Sequence, residues 1–346
     1  MACEWSNKIF SVGAAGFEPL ALEIFKFQYD QNPAYSSYVN ALSVSPGHVN
    51  SLDKIPFLPI SFFKTHEIKA GDFIPEVVFE SSGTTQSGKS HHLVRDLTLY
   101  SEGFTKTFEM FYGPVTDWCV LGLMPSLSER TNSSLVYMVS GLMRKSLHPL
   151  NGFYMHDDNR LAAVLEKLEA IGQKTLLIGL SFALLDFAER NLGCSLKHTI
   201  IMETGGMKGR REEKTRDETH SILKHAFAVD QIHSEYGMTE LLSQAYSKAD
   251  GIFNAAPWMK VLVRDEEDPL SVRHLKGVRH AGAINIIDLA NVYSCSFIAT
   301  EDAGLVYADG SFEILGRLDG SDLRGCSLMA PPARLEGTGG EVNLLL

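Results

Sequence analysis

The chain has 346 residues, 45% of them hydrophobic and 21% charged, enough to fill the core of one large domain or two moderate ones. A formal net charge of −11 argues against a general nucleic-acid or anionic-membrane surface. Residues 1–10, MACEWSNKIF, lack an apolar signal core, and no apolar run approaches a membrane span. Five scattered cysteines (Cys3, Cys119, Cys194, Cys295, Cys326) without a C-x-x-C pair fit a reducing cytoplasm and not a zinc or disulfide framework.

In chain order, the first informative stretch is FESSGTTQSGKSHH (79–92), an apolar strand end that runs into small hydroxyl and glycine residues and closes on Lys89. Small side chains let backbone N–H groups converge on an anion, and a lysine adds a mobile charge suited to phosphate. The letters from Gly83 to Ser90 match the Walker pattern, but a Walker loop opens a helix directly. Here SHHLVRD (90–96) continues in extended alternation, so the loop is expected to join two strands and to hold phosphate in another fold. His91 and His92 have no metal-ligand partner at useful spacing and are expected to take strand-edge or loop roles.

Next comes a helix over 96–112, with Asp96 as N-cap and an apolar stripe at Leu97, Tyr100, Phe104, Phe108 and Phe111. A buried strand is expected within 117–125, a helix over 160–173, a strand over 174–180, a helix over 181–193 and a strand over 197–206. This rhythm predicts an α/β fold with a mixed or parallel sheet and helices on both faces. From residue 258 onward short β-rich segments (MKVLVRD, AINIIDL, YSCSFIAT, SFEILGR) predict a small β-subdomain. The expected division is an α/β body over 1–257, a β-rich unit over 258–325 and an irregular tail over 326–346.

Four further stretches bear on the loop. METGGMKGRR (202–211) ends a strand at paired glycines, and HSEYGMTE (233–240) gathers an aromatic, a glycine, a threonine and a carboxylate. IATEDAGLV (298–306) offers an acidic pair at an expected strand end, and LGRLDGSDLRG (315–325) sets Arg317 and Asp319 beside glycines. Singly these are weak: a glycine pair is usually a turn, and an acidic pair at a strand end is usually solvated.

Together and in this order they resemble the adenylate-forming enzymes, which include acyl-CoA synthetases, adenylation domains of peptide synthetases and firefly luciferase. The shared marks are a Ser/Thr/Gly-rich loop ending in lysine (Ser81–Lys89), Tyr-Gly-x-Thr-Glu (Tyr236–Glu240), a ribose-binding aspartate (Asp302) and a Gly-Arg-x-Asp hinge (Gly316–Asp319). With IPFLPISFFKTHEI (55–68) and only about twenty residues after Gly325, the chain looks like the LuxE-type acyl-protein synthetases.

The resemblance implies the large N-terminal-domain fold of the superfamily without its usual C-terminal domain. It implies ATP and Mg2+ as cofactors, and a fatty or other carboxylic acid activated as acyl-AMP. The acyl group would then pass to Cys326 and on to an acyl-reductase or other acceptor protein. Ser81, Ser82, Gly83, Thr84 and Thr85 would cradle phosphates with Lys89 as counter-charge. Thr239 would contact the α-phosphate and Glu240 would hold Mg2+. Gly205 and Gly206 would lie against adenine, with Tyr236 and Gly237 at the adenine or the acyl carboxylate. Asp302 would accept the ribose hydroxyls, and Arg317 would hold ribose or phosphate. Two other readings stay open: a CoA ligase that needs a partner domain, and an inactive nucleotide-binding relic. Departures from the loop pattern at Gln86 and Gly88 speak for the relic; intact Glu240, Asp302 and Arg317 speak against it.

Overall fold

The computed structural model describes residues 5–82, 88–190, 195–205, 214–265, 272 and 279–318. Strands Cys119–Leu123 and Thr175–Leu180 are buried at every position, as expected of strands covered on both faces. With Gly152–Phe153, Thr199–Thr204 and His233–Tyr236 they form the parallel half of a twelve-stranded sheet. Helices Ser134–Ser146, Asp158–Ala170, Ser181–Arg190 and Arg216–Phe227 make the crossovers between these strands.

Beyond His233–Tyr236 the sheet turns antiparallel, through Ala245–Ser247, Phe253–Ala255, Phe312–Arg317, Phe297–Tyr307, Arg279–Asp288 and Met259–Arg264. The β-rich segment after residue 258 therefore hydrogen-bonds into the same sheet as the α/β body, at Phe253 opposite Phe312. A separate hairpin, Val77–Glu80 with His91–Val94, carries the loop between its strands, so the loop is a strand-to-strand connection.

Local chemistry sets the helix ends. The helix Leu97–Tyr112 starts where Asp96 accepts from the Thr98 N–H. The helix expected over 160–173 begins earlier, at Asp158, because Asp157 caps it by accepting from the Arg160 N–H, and it stops at Ala170. Arg216–Phe227 opens with a reciprocal cap between Thr215 and Glu218.

Two expectations change. YSCSFIAT is not a strand throughout: the strand begins only at Phe297, after a short 3-10 turn at Leu289–Asn291. Buried Gln28 and Asn32, from the N-terminal helical region, take the Asn291, Val292 and Ser294 carbonyls, so side chains replace the ladder there. The acidic pair Glu301–Asp302 is not at a strand end either, since that strand runs on to Tyr307. Asp302 tolerates mid-strand burial because it has polar partners, described below.

The register of that long strand shifts against both neighbours, between Ala303 and Gly304 where it pairs with Phe312–Arg317 and between Ala283 and Asn285 where it pairs with Arg279–Asp288. Buried Arg264 reaches both strands, donating to the Ile284 and Thr300 carbonyls at 2.7 and 2.6 Å and to Asn285 Oδ1 at 2.8 Å. A Cβ on Gly304 would lie 2.3 Å from the Glu313 carbonyl oxygen and 2.8 Å from Ile284 Cδ1. Backbone cannot yield as a flexible side chain does, so Gly304→Ala is expected to lose about 1–3 kcal/mol in urea unfolding. An unchanged midpoint and slope would show that the two strands have room for a methyl group. Among the described residues no helix is long and apolar enough to cross a membrane.

Candidate active site

Three chain segments meet at the C-terminal ends of the parallel strands, where open α/β sheets bind ligands. The first is the hairpin. Ser81 is buried, and its Oγ accepts from the Ser90 N–H at 2.9 Å while the Ser81 N–H donates to the Ser90 carbonyl at 3.1 Å. These bonds close the neck of the loop and engage the Ser81 hydroxyl. Lys89 lies outside the neck, paired with Glu80 at 2.9 Å; that hydrogen bond holds the Glu80 carboxyl below the usual carboxylate range. Gly83, Thr84, Thr85 and Gln86 lie outside the described residues.

The second segment is the end of Thr199–Thr204, where Gly205 takes φ +63, a left-handed conformation open to glycine at little cost. Gly206 lies outside the described residues. Below this turn Ser181 donates to Glu203 at 2.7 Å, and His220 Nε2 stands 3.6 Å from the other Glu203 oxygen. Burial opposes ionisation of Glu203, but His220, Arg216 and Ser181 together hold its carboxyl below the usual range.

The third segment, His233–Tyr236 and the turn after it, is pinned from several sides. His92 Nδ1 donates to the Thr239 carbonyl at 2.8 Å, so the hairpin and the Tyr-Gly-Met-Thr-Glu turn are tied directly. Burial pushes the His92 imidazole down to about 4, against the opposing effect of that bond, and the ring stays neutral at physiological pH. Asn291 Nδ2 donates to the Glu240 carbonyl at 2.7 Å. Asp288 accepts from the Leu242 and Ser243 N–H groups, from Ser243 Oγ and from the Ala290 N–H. Even with these donors, burial raises its carboxyl to about 6.

The structure divides the expected site residues into two groups. Ser82, Gly205, Gly237 and Thr239 line one cavity of about 290 Å3, together with Thr204, Glu235 and Gln244. Its other wall is apolar, built from Met124, Met138, Met155, Leu180 and Phe182. Tyr236, Asp302 and Arg317 form a second cluster. The Tyr236 ring packs against Phe253 and Phe312, and its O–H donates to Asp302 at 2.8 Å. Arg317, opposite Asp302 in the ladder, donates to it at 3.3 Å and also to Glu301. Burial raises the Asp302 carboxyl, with Arg317 and Tyr236 opposing. Tyr236 and Gly237 are adjacent in sequence and so join the two groups. Lys89 and Glu240 do not line the cavity; Lys89 is exposed and Glu240 is 1% exposed.

Several neighbours of these residues carry no sequence motif: Glu235, Gln244, His92 and Asp288. Glu235 alone had a local signal, since a glutamate in a central strand buried on both faces needs a reason. No group of three His, Cys, Asp or Glu fit to hold a metal occurs among the described residues. His233 is bonded to the Tyr112 hydroxyl at 3.1 Å, and burial lowers it to about 4.

Known structures share this architecture. The chain is similar to ATP-bound MatB from Rhodopseudomonas palustris, with 18% identity and TM-score 0.52 over 69% of this chain and 47% of that one. It is similar to 2-hydroxyisobutyryl-CoA ligase in the postadenylation state in complex with 2-HIB-AMP, with 13% identity and TM-score 0.62 over 90% of this chain and 70% of that one. The open conformation of that ligase in complex with 2-HIB-AMP and CoA matches at 12% identity, TM-score 0.62, over 91% and 78%. At such identities the likeness is one of fold, the α/β fold of adenylate-forming ligases, and the chain spans about half of the length of MatB. No curated protein matches the sequence. The family model of the acyl-protein synthetase LuxE matches residues 15–332, and the chain belongs to that family.

Proposed function

We propose that the protein joins a carboxylic acid to the α-phosphate of ATP, releasing pyrophosphate, and then passes the acyl group of the acyl-adenylate to a cysteine thiol. The observation that carries this reading is the meeting of Ser82, Gly205, Gly237 and Thr239, from three separate segments, around one cavity in a chain of the LuxE family.

A carboxylate is a poor electrophile, and the mixed anhydride supplies a good leaving group. The enzyme's part is to position the acid against the α-phosphate and to neutralise developing charge. In this reading Lys89 exchanges its Glu80 partner for the outgoing phosphates, with Ser82 and the loop residues Gly83, Thr84 and Thr85 around them. Thr239 contacts the α-phosphate, and Glu240 holds Mg2+, which supplies charge neutralisation when bound. Gly205 and Gly206 lie along the adenine, Asp302 accepts the ribose hydroxyls, and Arg317 orients Asp302. In the second step the thiolate attacks the acyl carbonyl; the C–S bond forms as the bond to phosphate breaks, and AMP leaves. Cys326 is the proposed acceptor and lies outside the described residues. Cys119 and Cys295 are poor alternatives, because burial pushes both thiols up to about 12.

Exchange of labelled pyrophosphate into ATP tests the first step. Exchange is expected only when Mg2+ and a suitable acid are both present. Silence across fatty, aryl and short acids would remove acid activation and leave nucleotide binding without chemistry.

A further inference from the structure

Resting on the reading of the chain as an acid-activating enzyme, we propose that Arg130 binds the β- and γ-phosphates of ATP and holds the pyrophosphate as it leaves. Arg130 sits in SLSERTNSS (126–134), between the strand Cys119–Leu123 and the helix Ser134–Ser146.

A cavity that takes a triphosphate has to supply positive charge beside it, yet this one is otherwise lined with carboxyls, Glu80 and Glu235. Arg130 is the one cationic residue among the described residues that line it. Lys89, the expected counter-charge, does not line the cavity and is paired with Glu80. The Arg130 guanidinium has no hydrogen-bond or ion-pair partner among the described residues, so it can turn to an anion without breaking an interaction. A guanidinium keeps its charge at any physiological pH, and its fork of N–H donors matches phosphate oxygens in pairs.

The backbone around Arg130 is fixed on both sides. Upstream, Ser126 donates from its N–H and its Oγ to Glu129 at 2.8 and 2.6 Å, and the Arg130 N–H donates to the Ser126 carbonyl at 3.0 Å. Downstream, the Asn132 carbonyl accepts from the Glu80 N–H at 2.8 Å. Glu80 ends the strand that runs into the phosphate loop, and Ser82, two residues on, lines the cavity with it. The segment that carries Arg130 is thus bonded to the stem of the phosphate loop. As the acid's carboxylate attacks the α-phosphorus, the bond to the bridging oxygen breaks and its electron pair goes to the pyrophosphate. Arg130 stabilises the charge that develops there.

The test uses Arg130→Met, which removes the guanidinium, and Arg130→Lys, which keeps a point charge. Arg130 is exposed, so both are expected to keep the urea midpoint of the unmodified protein. Equilibrium binding of ATP with Mg2+, and of AMP, needs no acid. Arg130→Met is expected to bind ATP on the order of 10- to 100-fold more weakly, the usual worth of a charge-assisted contact, and AMP within about twofold of the unmodified protein. Arg130→Lys is expected to recover part of the loss. In pyrophosphate exchange the KM for pyrophosphate should rise with the loss of ATP affinity, while the KM for the acid stays within about twofold. Equal weakening of ATP and AMP, or of neither, overturns the assignment. So does a rise confined to the KM for the acid, which would give Arg130 to the carboxylate. The two readings fail separately. Selective weakening of ATP without exchange on any acid keeps Arg130 at the phosphates and removes acid activation; exchange and ATP binding that ignore Arg130→Met do the reverse.

Discussion

Cys326→Ser protein incubated with ATP, Mg2+ and a labelled acid is expected to lose the hydroxylamine-labile label that the unmodified protein acquires, while pyrophosphate exchange continues. Adenylate formation draws on the nucleotide motifs, all of which precede residue 320, and it comes before any thiol attacks. Loss of label should be close to complete. A thiol of ordinary pKa, about 8.5, is already a few per cent thiolate at neutral pH, whereas a serine hydroxyl needs a base to act as nucleophile. Any ester that did form on serine would resist neutral hydroxylamine. If label persists on a folded Cys326→Ser protein, the acceptor is another cysteine. Cys119 and Cys295 are both buried with raised thiols, so suspicion would move to Cys3 or Cys194. If label and exchange fall together, Cys326 serves the fold or the adenylation site and the transfer step needs another explanation.

What could be read from the sequence is what is contiguous in it. Tyr236–Glu240 is a five-residue run, and the hairpin loop announces itself through its glycines and hydroxyls, so both were legible without a structure. The strand–helix rhythm from Leu97 to Thr204 was legible because apolar spacing reports a covered face locally. The pairing of the antiparallel strands was not, since period-two alternation says which face is buried and nothing about which neighbour is bonded. Hence the β-rich segment reads as a small unit of its own, although its strands continue the central sheet. Asp302 reads as a strand-end residue because an acid inside a strand is normally costly; the partners that make it tolerable, Tyr236 and Arg317, come from two other strands. His92 and Asp288 were illegible for the same reason. Each holds the Tyr-Gly-Met-Thr-Glu turn and the residues after it from a distant element, and only the fold brings them there.

Arg317→Met is expected to lower folding stability by about 3–5 kcal/mol near pH 8, the usual cost of removing one partner of a buried charge pair, and by clearly less near pH 5. Methionine keeps the apolar stem, so the change isolates the guanidinium. Asp302 is 3% exposed and Arg317 has a side chain 17% exposed, so the pair is only weakly screened. Burial raises the Asp302 carboxyl, and Arg317 is the strongest influence holding it down. Without Arg317 the folded-state pKa climbs further above the unfolded value of about 3.9. An acid whose folded pKa is raised contributes stability that is full below its unfolded pKa and is lost as pH rises through the folded one. At pH 5 the variant can protonate Asp302 and keep it buried beside Tyr236; at pH 8 it must bury a charge with, among the described residues, the Tyr236 O–H alone for support. Glu301 loses the same partner, but its side chain is 27% exposed and water can replace the guanidinium there. Other raised carboxyls, Asp288 and Glu235, titrate in both proteins, so they cancel in the difference between their urea unfolding curves. A penalty that stays flat from pH 5 to pH 8 would mean that Asp302 is not the group Arg317 supports, and its place in a ribose site would lose its electrostatic basis.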